Sequence, residues 1–151
     1  MRQDGPTVER IHMTANIHIR TVADTETAIG WTKGRSVVVD RNSDTALSLG
    51  FNSTELLCLA VGACYTNAVF LEAGRRAVRV SSVHVDVSAD GDWPSAEHLT
   101  ASMRIEADAD AETIAELVEH ADRVARIANL LRLGTSVRLT DAHVVGRKVG
   151  H

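Results

Sequence analysis

The sequence has 151 residues, a length that fits one domain, and 44% hydrophobic and 24% charged residues allow a buried core. Aromatic residues make up only 3% and the net charge is −4. Few aromatic side chains disfavour a stacking surface for single-stranded nucleic acid, and a negative charge disfavours a phosphate-binding surface, so no nucleic-acid partner is expected.

Residues 1–10 are polar, contain no apolar signal core and are expected to form a flexible N-terminal tail before a single domain, residues 11–151. Two cysteines cannot build a disulfide framework, so we expect a reducing, cytoplasmic setting. Glu55, Asn67 and Glu72 interrupt the most apolar segment, and no membrane span is expected.

The first half of the domain combines strands with one long helix. Residues 11–40 are rich in β-forming side chains and predict two or three antiparallel strands, and residues 41–52 read as a loop. Residues 53–76 predict a helix that is apolar on nearly every side. Ser53 or Thr54 is the expected N-cap and Gly74 the expected end of this helix.

The second half predicts a hairpin, an amphipathic helix and a last strand. Residues 78–90 alternate with a slip in phase that suggests a bulge near Ser81 and Ser82, and residues 99–108 form the partner strand. Asp110 is the expected N-cap of the second helix and Gly134 its stop. The apolar positions of this helix are Ile114, Leu117, Val118, Ala121, Val124, Ala125 and Ala128. Residues 135–148 predict a final strand.

This order of elements is typical of a segregated α+β domain with antiparallel sheets. The first helix is apolar on too many sides for one sheet to cover, and such a helix requires burial all round. In a chain of 151 residues the additional cover is expected from a second copy, so we predict an obligate homodimer around a buried central helix.

Both cysteines, Cys58 and Cys64, lie in the apolar helix. Buried free cysteines usually act as small apolar side chains, but one of these could be a reactive thiol at the floor of a pocket. Six residues on a helix correspond to about 9 Å of rise and about 120° of rotation. A disulfide needs Cα atoms within roughly 7 Å, so the two cannot pair on an intact helix.

Neither a metal site nor a cofactor site is expected. The seven histidines form no HxxxH spacing and the cysteines no CxxC pair. The sequence also lacks the GxSxG motif, the P-loop and the GxGxxG motif.

The segment GFNSTELLCLAVGACYTNAVF, residues 50–70, resembles the central-helix signature of the OsmC/Ohr family, in which an Asn-Pro-Glu-type start leads to small apolar residues ending in Ala-Cys. The second helix and final strand are similar as well, and the likeness covers residues 15–145. The resemblance implies an intertwined α+β homodimer. The best-known members reduce organic hydroperoxides with a reactive cysteine, which a Glu and an Arg hold as the thiolate and a second cysteine resolves.

Carried over residue by residue, the resemblance implies that Cys64 is the reactive cysteine and Cys58 a core residue. Arg20 and Arg35 are the candidate cations on the early strands, and Thr54 falls where the family has its functional Glu. Glu55 comes nine residues before Cys64, about 180° round the helix, and is expected to point away from the thiol.

The second helix also departs from the family pattern. Its segment ARIANLL aligns with the Cys-Pro-x-Ser stretch, so Ala125 stands in place of the resolving cysteine and Ala128 in place of the Ser.

Two functions follow from this resemblance. The first is a thiol-dependent peroxidase that reduces organic hydroperoxides through Cys64, with an external thiol as the resolving partner. The second is a non-peroxidase dimer of the same fold that binds a small apolar or thiol-bearing ligand in its interface pocket. An arginine beside the Cys64 sulfur in a solvent-accessible pocket would favour the first, and a sealed thiol among apolar neighbours would disfavour it.

Overall fold

The structure, a computed structural model, describes residues 14–41, 49–91 and 98–146. The predicted N-terminal tail, most of the loop between residues 41 and 52 and the hairpin turn lie outside these residues. The chain divides into two compact units, residues 1–56 and residues 57–151, and the long helix runs through the division.

The first unit contains a three-stranded antiparallel sheet, in agreement with the two or three antiparallel strands expected there. Strands β1 (His18–Thr21), β2 (Ala28–Thr32) and β3 (Arg35–Val39) pair in chain order. Ala28 and Gly30 of the middle strand are buried, whereas Ile29 and Trp31 between them are exposed. This alternation follows from the period of two in a β-strand and gives the sheet one inner and one outer face.

Residues 49–51 lead from the sheet to the long helix along β3. The Phe51 N–H donates to the carbonyl of Val38, and the Asp40 N–H donates to the carbonyl of Phe51, both at 3.1 Å. A Cβ atom on Gly50 would lie 2.5 Å from the Val38 carbonyl oxygen. Only glycine therefore allows the chain to approach β3 this closely.

The long helix α1 (Ser53–Arg75) begins at the first residue of the predicted segment, but its N-cap is a different residue. The side-chain oxygen of Asn52 accepts the Glu55 N–H, and the Glu55 carboxylate accepts the Asn52 N–H, both at 2.9 Å. This reciprocal pair is a capping box with Asn52 as the N-cap, so the expected cap at Ser53 or Thr54 is wrong. Asn52 is the N-cap because its side chain and that of Glu55 together accept hydrogen bonds from two backbone N–H groups.

The end of α1 also differs from the prediction, because Gly74 lies inside the last turn. Ala77 adopts the left-handed conformation, with φ of 53°. The Val78 N–H donates to the Ala73 carbonyl at 3.0 Å, and the Ala77 N–H donates to the Gly74 carbonyl at 3.3 Å. These two bonds form a Schellman motif, which here uses alanine where glycine is usual.

The second unit contains the predicted hairpin. Strands β4 (Val80–Asp90) and β5 (His98–Ala107) pair antiparallel, with a register shift between Val80 and Ser82. The shift lies at the expected bulge, and the Ser81 hydroxyl donates to the carbonyl of Glu106 at 3.0 Å. One face of this two-stranded sheet packs against the core of the unit through Val83, Val85, Val87, Met103 and Ile105.

The core of the second unit lies between α1 and the helices that follow β5. Val69 of α1 and Leu117 and Ala121 of the next helix are fully buried. Tyr65 and Glu72 of α1 are buried as well, and Arg75 forms an ion pair with Glu72 at 2.6 Å. One face of α1 is thus a core face.

The predicted second helix is two helices, α2 (Ala111–Val124) and α3 (Arg126–Leu133). Its two ends agree with the prediction. The Asp110 carboxylate accepts the Thr113 N–H at 2.8 Å, and Gly134 ends α3 in the left-handed conformation. The single continuous helix is wrong because Ala125, with ψ of 101°, has extended backbone.

The predicted final strand is absent from the described part of the C-terminal segment, residues 135–146. Its apolar side chains are exposed, from 77% for Val145 to 92% for Val137. A strand needs a neighbour to take its backbone hydrogen bonds, and the described part of this chain supplies none.

Helix α1 is long and apolar enough to cross a membrane by length and composition, contrary to the expectation that Glu55, Asn67 and Glu72 exclude such a segment. The packing of Val61, Tyr65, Ala68, Val69 and Ala73 nevertheless makes it a core helix.

Candidate functional site

The break between α2 and α3 frees backbone groups that a continuous helix would pair. In such a helix the carbonyls of Asp122 and Arg123 would accept the N–H groups four residues later. Here the Arg132 side chain donates to the Asp122 carbonyl at 3.4 Å, and the Asn129 amide donates to the Arg123 carbonyl at 2.8 Å. Two side chains of α3 therefore satisfy carbonyls at the end of α2.

The freed N–H of Ile127 has a different partner. It donates to the sulfur of Cys64, with an N···Sγ distance of 3.2 Å. Ile127 is the second residue of α3, so its N–H is one of the donors that a helix leaves without an internal acceptor. The half-buried Cys64 thus contacts the N-terminal end of α3, where a helix favours negative charge.

Alanines surround this contact where the sequence resemblance would have a cysteine and a serine. Ala125, in the position of the resolving cysteine, is fully buried at the break, and Ala128 is nearly so. Both belong to the core cluster against which Cys64 packs. Cys58, six residues earlier on α1, is also half-buried.

A hydrogen-bonded network ties the three helices together beside the thiol. The Tyr65 hydroxyl donates to the Asp122 carboxylate at 2.7 Å. Nη2 of Arg132 donates to the same carboxylate oxygen at 2.6 Å and to the Tyr65 hydroxyl at 3.0 Å. Because Tyr65 follows Cys64 directly, the network holds the thiol-bearing part of α1 against both sides of the break.

The network shifts the pKa values of its members. The hydrogen bond from Arg132, followed by the one from Tyr65, holds the pKa of the Asp122 carboxyl below its usual value. Burial, followed by the hydrogen bond to Asp122, raises the pKa of the Tyr65 hydroxyl. Both shifts favour a carboxylate and a neutral phenol at neutral pH, so Tyr65 acts as a donor there.

A cavity of about 110 Å³ lies next to this network in the second unit. Tyr65 and Arg132 form its polar wall. The remaining lining residues are Val61, Leu99, Thr100, Ala101, Ala128 and Leu131. A cavity with mainly apolar walls and a few polar lining residues suits a small, mostly apolar molecule with a polar group.

The two arginines that the sequence singled out are on opposite faces of the first unit's sheet. Arg20 pairs with Ile29, which is exposed on the outer face. Arg35 pairs with Thr32, three residues further along β2, and therefore belongs to the inner face with Ala28. Arg20 and Arg35 of one chain therefore lie on opposite faces of this sheet.

Thr54 lines a recess of about 450 Å³ in the first unit. The arginine in this recess is Arg41, which forms an ion pair with Glu26 at 3.1 Å. Glu55, next to Thr54, uses its carboxylate in the capping box. Sequence reasoning missed Arg41, which follows β3 directly and carries no motif of its own.

Comparison with known proteins identifies the family. The model of the family described as OsmC-like protein matches residues 43–140, more than half of the chain. The chain belongs to the OsmC-like family. The match contains α1 with Cys64, the hairpin, and both helices that flank the break. No curated protein matches the sequence.

Solved structures share the fold at low sequence identity. An OsmC-like protein from Mycoplasma pneumoniae is 13% identical, with a TM-score of 0.73 over 83% of this chain and 91% of that chain. The organic hydroperoxide resistance protein OhrB of Bacillus subtilis is 18% identical, with a TM-score of 0.60 over 82% and 93%. An organic hydroperoxide resistance protein from Elizabethkingia anophelis is 16% identical, with a TM-score of 0.63 over 83% and 92%. These likenesses establish a mixed α+β fold with antiparallel sheets.

Proposed function

We propose that the protein is a thiol-dependent peroxidase that reduces organic hydroperoxides through Cys64. The observation that carries the proposal is the hydrogen bond from the Ile127 N–H to the Cys64 sulfur at the start of α3. Hydrogen bonds to an ionised acceptor are roughly twice as strong as those to a neutral one, so this donor serves the thiolate, the form that reacts. Membership of the OsmC-like family supports the same residue.

In the proposed reaction the Cys64 thiolate attacks the terminal oxygen of the hydroperoxide. The O–O bond breaks, the alcohol leaves after taking a proton, and Cys64 becomes a sulfenic acid. The sulfur is thereby oxidised by two electrons and the hydroperoxide is reduced by two. The cavity beside Tyr65 offers apolar walls for the organic part of the substrate.

An external thiol completes the proposed cycle, because Ala125 stands where a resolving cysteine would be. The thiol displaces the oxygen of the sulfenic acid as water and forms a mixed disulfide with Cys64. A second thiol then releases the Cys64 thiol and a disulfide product. The cytoplasm, which keeps a pool of reduced thiols, is the proposed location.

Turnover of cumene hydroperoxide with a dithiol reductant tests the proposal. The Cys64→Ser variant should lose all turnover above background, and Cys58→Ser, the matched control on the same helix, should keep most of it. Equal loss in both variants would contradict the role given to Cys64.

We also propose that the protein is a homodimer. Exposed apolar side chains of α1, Leu59 at 54%, Phe70 at 50% and Leu71 at 53%, support a second copy as cover. The C-terminal segment, residues 135–146, has exposed valine and leucine side chains, and in this proposal it pairs with that copy as a strand. A single-chain mass by light scattering at low micromolar concentration would contradict this proposal.

The second candidate is a dimer of the same fold that binds a small apolar or thiol-bearing ligand without turning over peroxide. The observation in its favour is that the cavity is lined by Tyr65 and Arg132 and not by Cys64. Under this alternative an apolar ligand should bind equally to the wild-type protein and to Cys64→Ser. The ligand-binding function would be preferred over the peroxidase if the wild-type protein showed no Cys64-dependent turnover of hydroperoxide.

A further inference from the structure

The chain offers no second thiol that could resolve an oxidised Cys64 within one subunit. Cys58 is the other cysteine of the sequence, and it lies six residues away on the same helix. Their separation of about 9 Å along the axis is too long for a disulfide. A sulfenic acid without a partner is exposed to further, irreversible oxidation to sulfinic acid.

A backbone nitrogen occupies the position next to the sulfur. The amide nitrogen of Ile127 is 3.2 Å from Sγ of Cys64. This distance lies within the range of about 3–3.5 Å that is typical of reacting atoms before bond formation.

The loss of this N–H would break no helix hydrogen bond. The carbonyl that the Ile127 N–H would use in a continuous helix, that of Arg123, is taken by the side chain of Asn129 at 2.8 Å. The backbone of Ala125, two residues earlier, is extended rather than helical. The junction can therefore move towards α1 without unwinding a helical turn.

We propose that, after oxidation, the Cys64 sulfur condenses with the Ile127 amide nitrogen to form a cyclic sulfenyl amide. The proposal rests on the proposed function, because a hydroperoxide must first convert Cys64 to the sulfenic acid. The S–O bond and the amide N–H bond break, an S–N bond forms, and the hydroxyl and the hydrogen leave together as water. This step transfers no electrons.

An external thiol reverses the modification. Its thiolate attacks the Cys64 sulfur, the S–N bond breaks, and the Ile127 nitrogen regains a proton. The product is the mixed disulfide that the proposed cycle already contains. The sulfenyl amide thus stores the oxidised enzyme in a form that a thiol can reduce.

The network of Tyr65, Asp122 and Arg132 supports this geometry. Its three side chains join α1, α2 and α3 across the break, at distances of 2.6–3.0 Å. Since Tyr65 is adjacent to Cys64, rotation of α1 away from Ile127 would break these bonds.

Mass spectrometry of the Cys58→Ser variant tests the proposal. The reduced protein is treated with one equivalent of cumene hydroperoxide without thiol. The sulfenyl amide is lighter than the reduced protein by two hydrogen masses, whereas the sulfenic acid is heavier by one oxygen mass. With a single cysteine in the chain, a disulfide would double the mass and is distinguished at once.

Peptide mapping locates the bond. Trypsin normally cuts between Arg126 and Ile127, and a sulfur on the Ile127 nitrogen should block that cut. We expect residues 124–132 to remain one peptide, joined to the peptide that contains Cys64, and to separate after treatment with a thiol.

Two proline variants provide the matched comparison. Ile127→Pro removes the amide hydrogen and should give only the sulfenic and sulfinic acids. Arg126→Pro places proline at the first helical position, where it is favoured, and keeps the Ile127 N–H. The sulfenyl amide should therefore still form in this variant. If circular dichroism shows that Ile127→Pro does not fold, the blocked tryptic cut in Cys58→Ser is sufficient to test for the sulfenyl amide.

The outcomes separate this proposal from the proposed function. A Cys64 that stops at the sulfenic acid and reacts with dimedone, or passes to sulfinic acid without losing water, overturns the sulfenyl amide and leaves the peroxidase standing. A Cys64 that cumene hydroperoxide does not oxidise overturns both.

Discussion

The replacement Asp122→Asn probes the network that fixes the helix break. The variant keeps an oxygen that can accept the Tyr65 hydroxyl and removes the charge that pairs with Arg132 at 2.6 Å. The side chains of Asp122 and Arg132 are 51% and 50% exposed, so solvent weakens their attraction. We therefore expect a loss of about 0.5–1 kcal/mol in the free energy of unfolding at neutral pH, as for exposed ion pairs.

The stability difference between wild type and Asp122→Asn should depend on pH in a direction that the pKa of Asp122 fixes. The pKa of Asp122 is lowered in the folded protein from an unfolded value of 3.8. A carboxyl group with a lowered pKa contributes stability above its unfolded pKa, and this contribution is lost as pH falls through the folded pKa. The difference between wild type and Asp122→Asn should therefore be constant near neutral pH and shrink below pH 3.8.

Urea denaturation, followed by circular dichroism at a series of pH values, measures this difference. Glu119→Gln is the matched control, because Glu119 forms an exposed ion pair with Arg123 on the same helix at 3.0 Å. The control should lose about 0.3–0.5 kcal/mol. An Asp122→Asn variant as stable as wild type at neutral pH, or a difference that persists unchanged in acid, would refute the account of the network.

Three further predictions concern the backbone and the arginines. Ala77→Gly should stabilise the protein by about 0.5–1 kcal/mol in urea denaturation, because it relieves a left-handed alanine. A destabilised variant would contradict the Schellman motif. Gly50→Ala should cost about 1–3 kcal/mol in the same assay, since its Cβ would meet the Val38 carbonyl at 2.5 Å, and a neutral effect would contradict that close approach. Of the two variants Arg20→Ala and Arg35→Ala, at most one should lower peroxide turnover, because the two residues are on opposite faces of the sheet. Equally large losses of turnover in two folded variants would contradict this prediction.

Local signals in the sequence predicted much of the fold. The Asp110 cap, the Gly134 stop and the bulge beside Ser81 each depend on one to three adjacent residues, and each is confirmed. The predicted N-cap of α1 was wrong because three successive residues, Asn52, Ser53 and Thr54, carry a side-chain oxygen that can cap a helix. The reciprocal bond to Glu55 decides between them.

The break at Ala125 could not be predicted from the local pattern. Neither proline nor glycine marks it, and the apolar spacing continues through it. The break is stabilised by tertiary bonds instead: Ile127 donates to Cys64, 63 residues away in the chain, and Asn129 takes the Arg123 carbonyl. Such contacts depend on packing that a single helical pattern does not contain.

Only the part of the candidate site that lies in a recognisable sequence motif could be predicted. The family-like segment before Tyr65 singled out Cys64, and the structure adds the amide of Ile127 as its contact. The hydrogen-bonded network joins three helices through Tyr65, Asp122 and Arg132. In the sequence each of these appears only as a polar residue on or beside an apolar stripe. The roles of Arg20, Arg35 and Thr54 remain proposals.

The central claim is that the Cys64 thiol is oxidised by an organic hydroperoxide, and a single-turnover titration tests it most directly. Reduced protein is mixed with cumene hydroperoxide without any reductant, and the cumyl alcohol formed is compared with the Cys64 thiol lost. We predict one alcohol for each thiol in the wild-type protein and in Cys58→Ser, and no alcohol above background in Cys64→Ser. Alcohol formation that is unchanged in Cys64→Ser, or no alcohol from the fully reduced wild-type protein, would contradict the account.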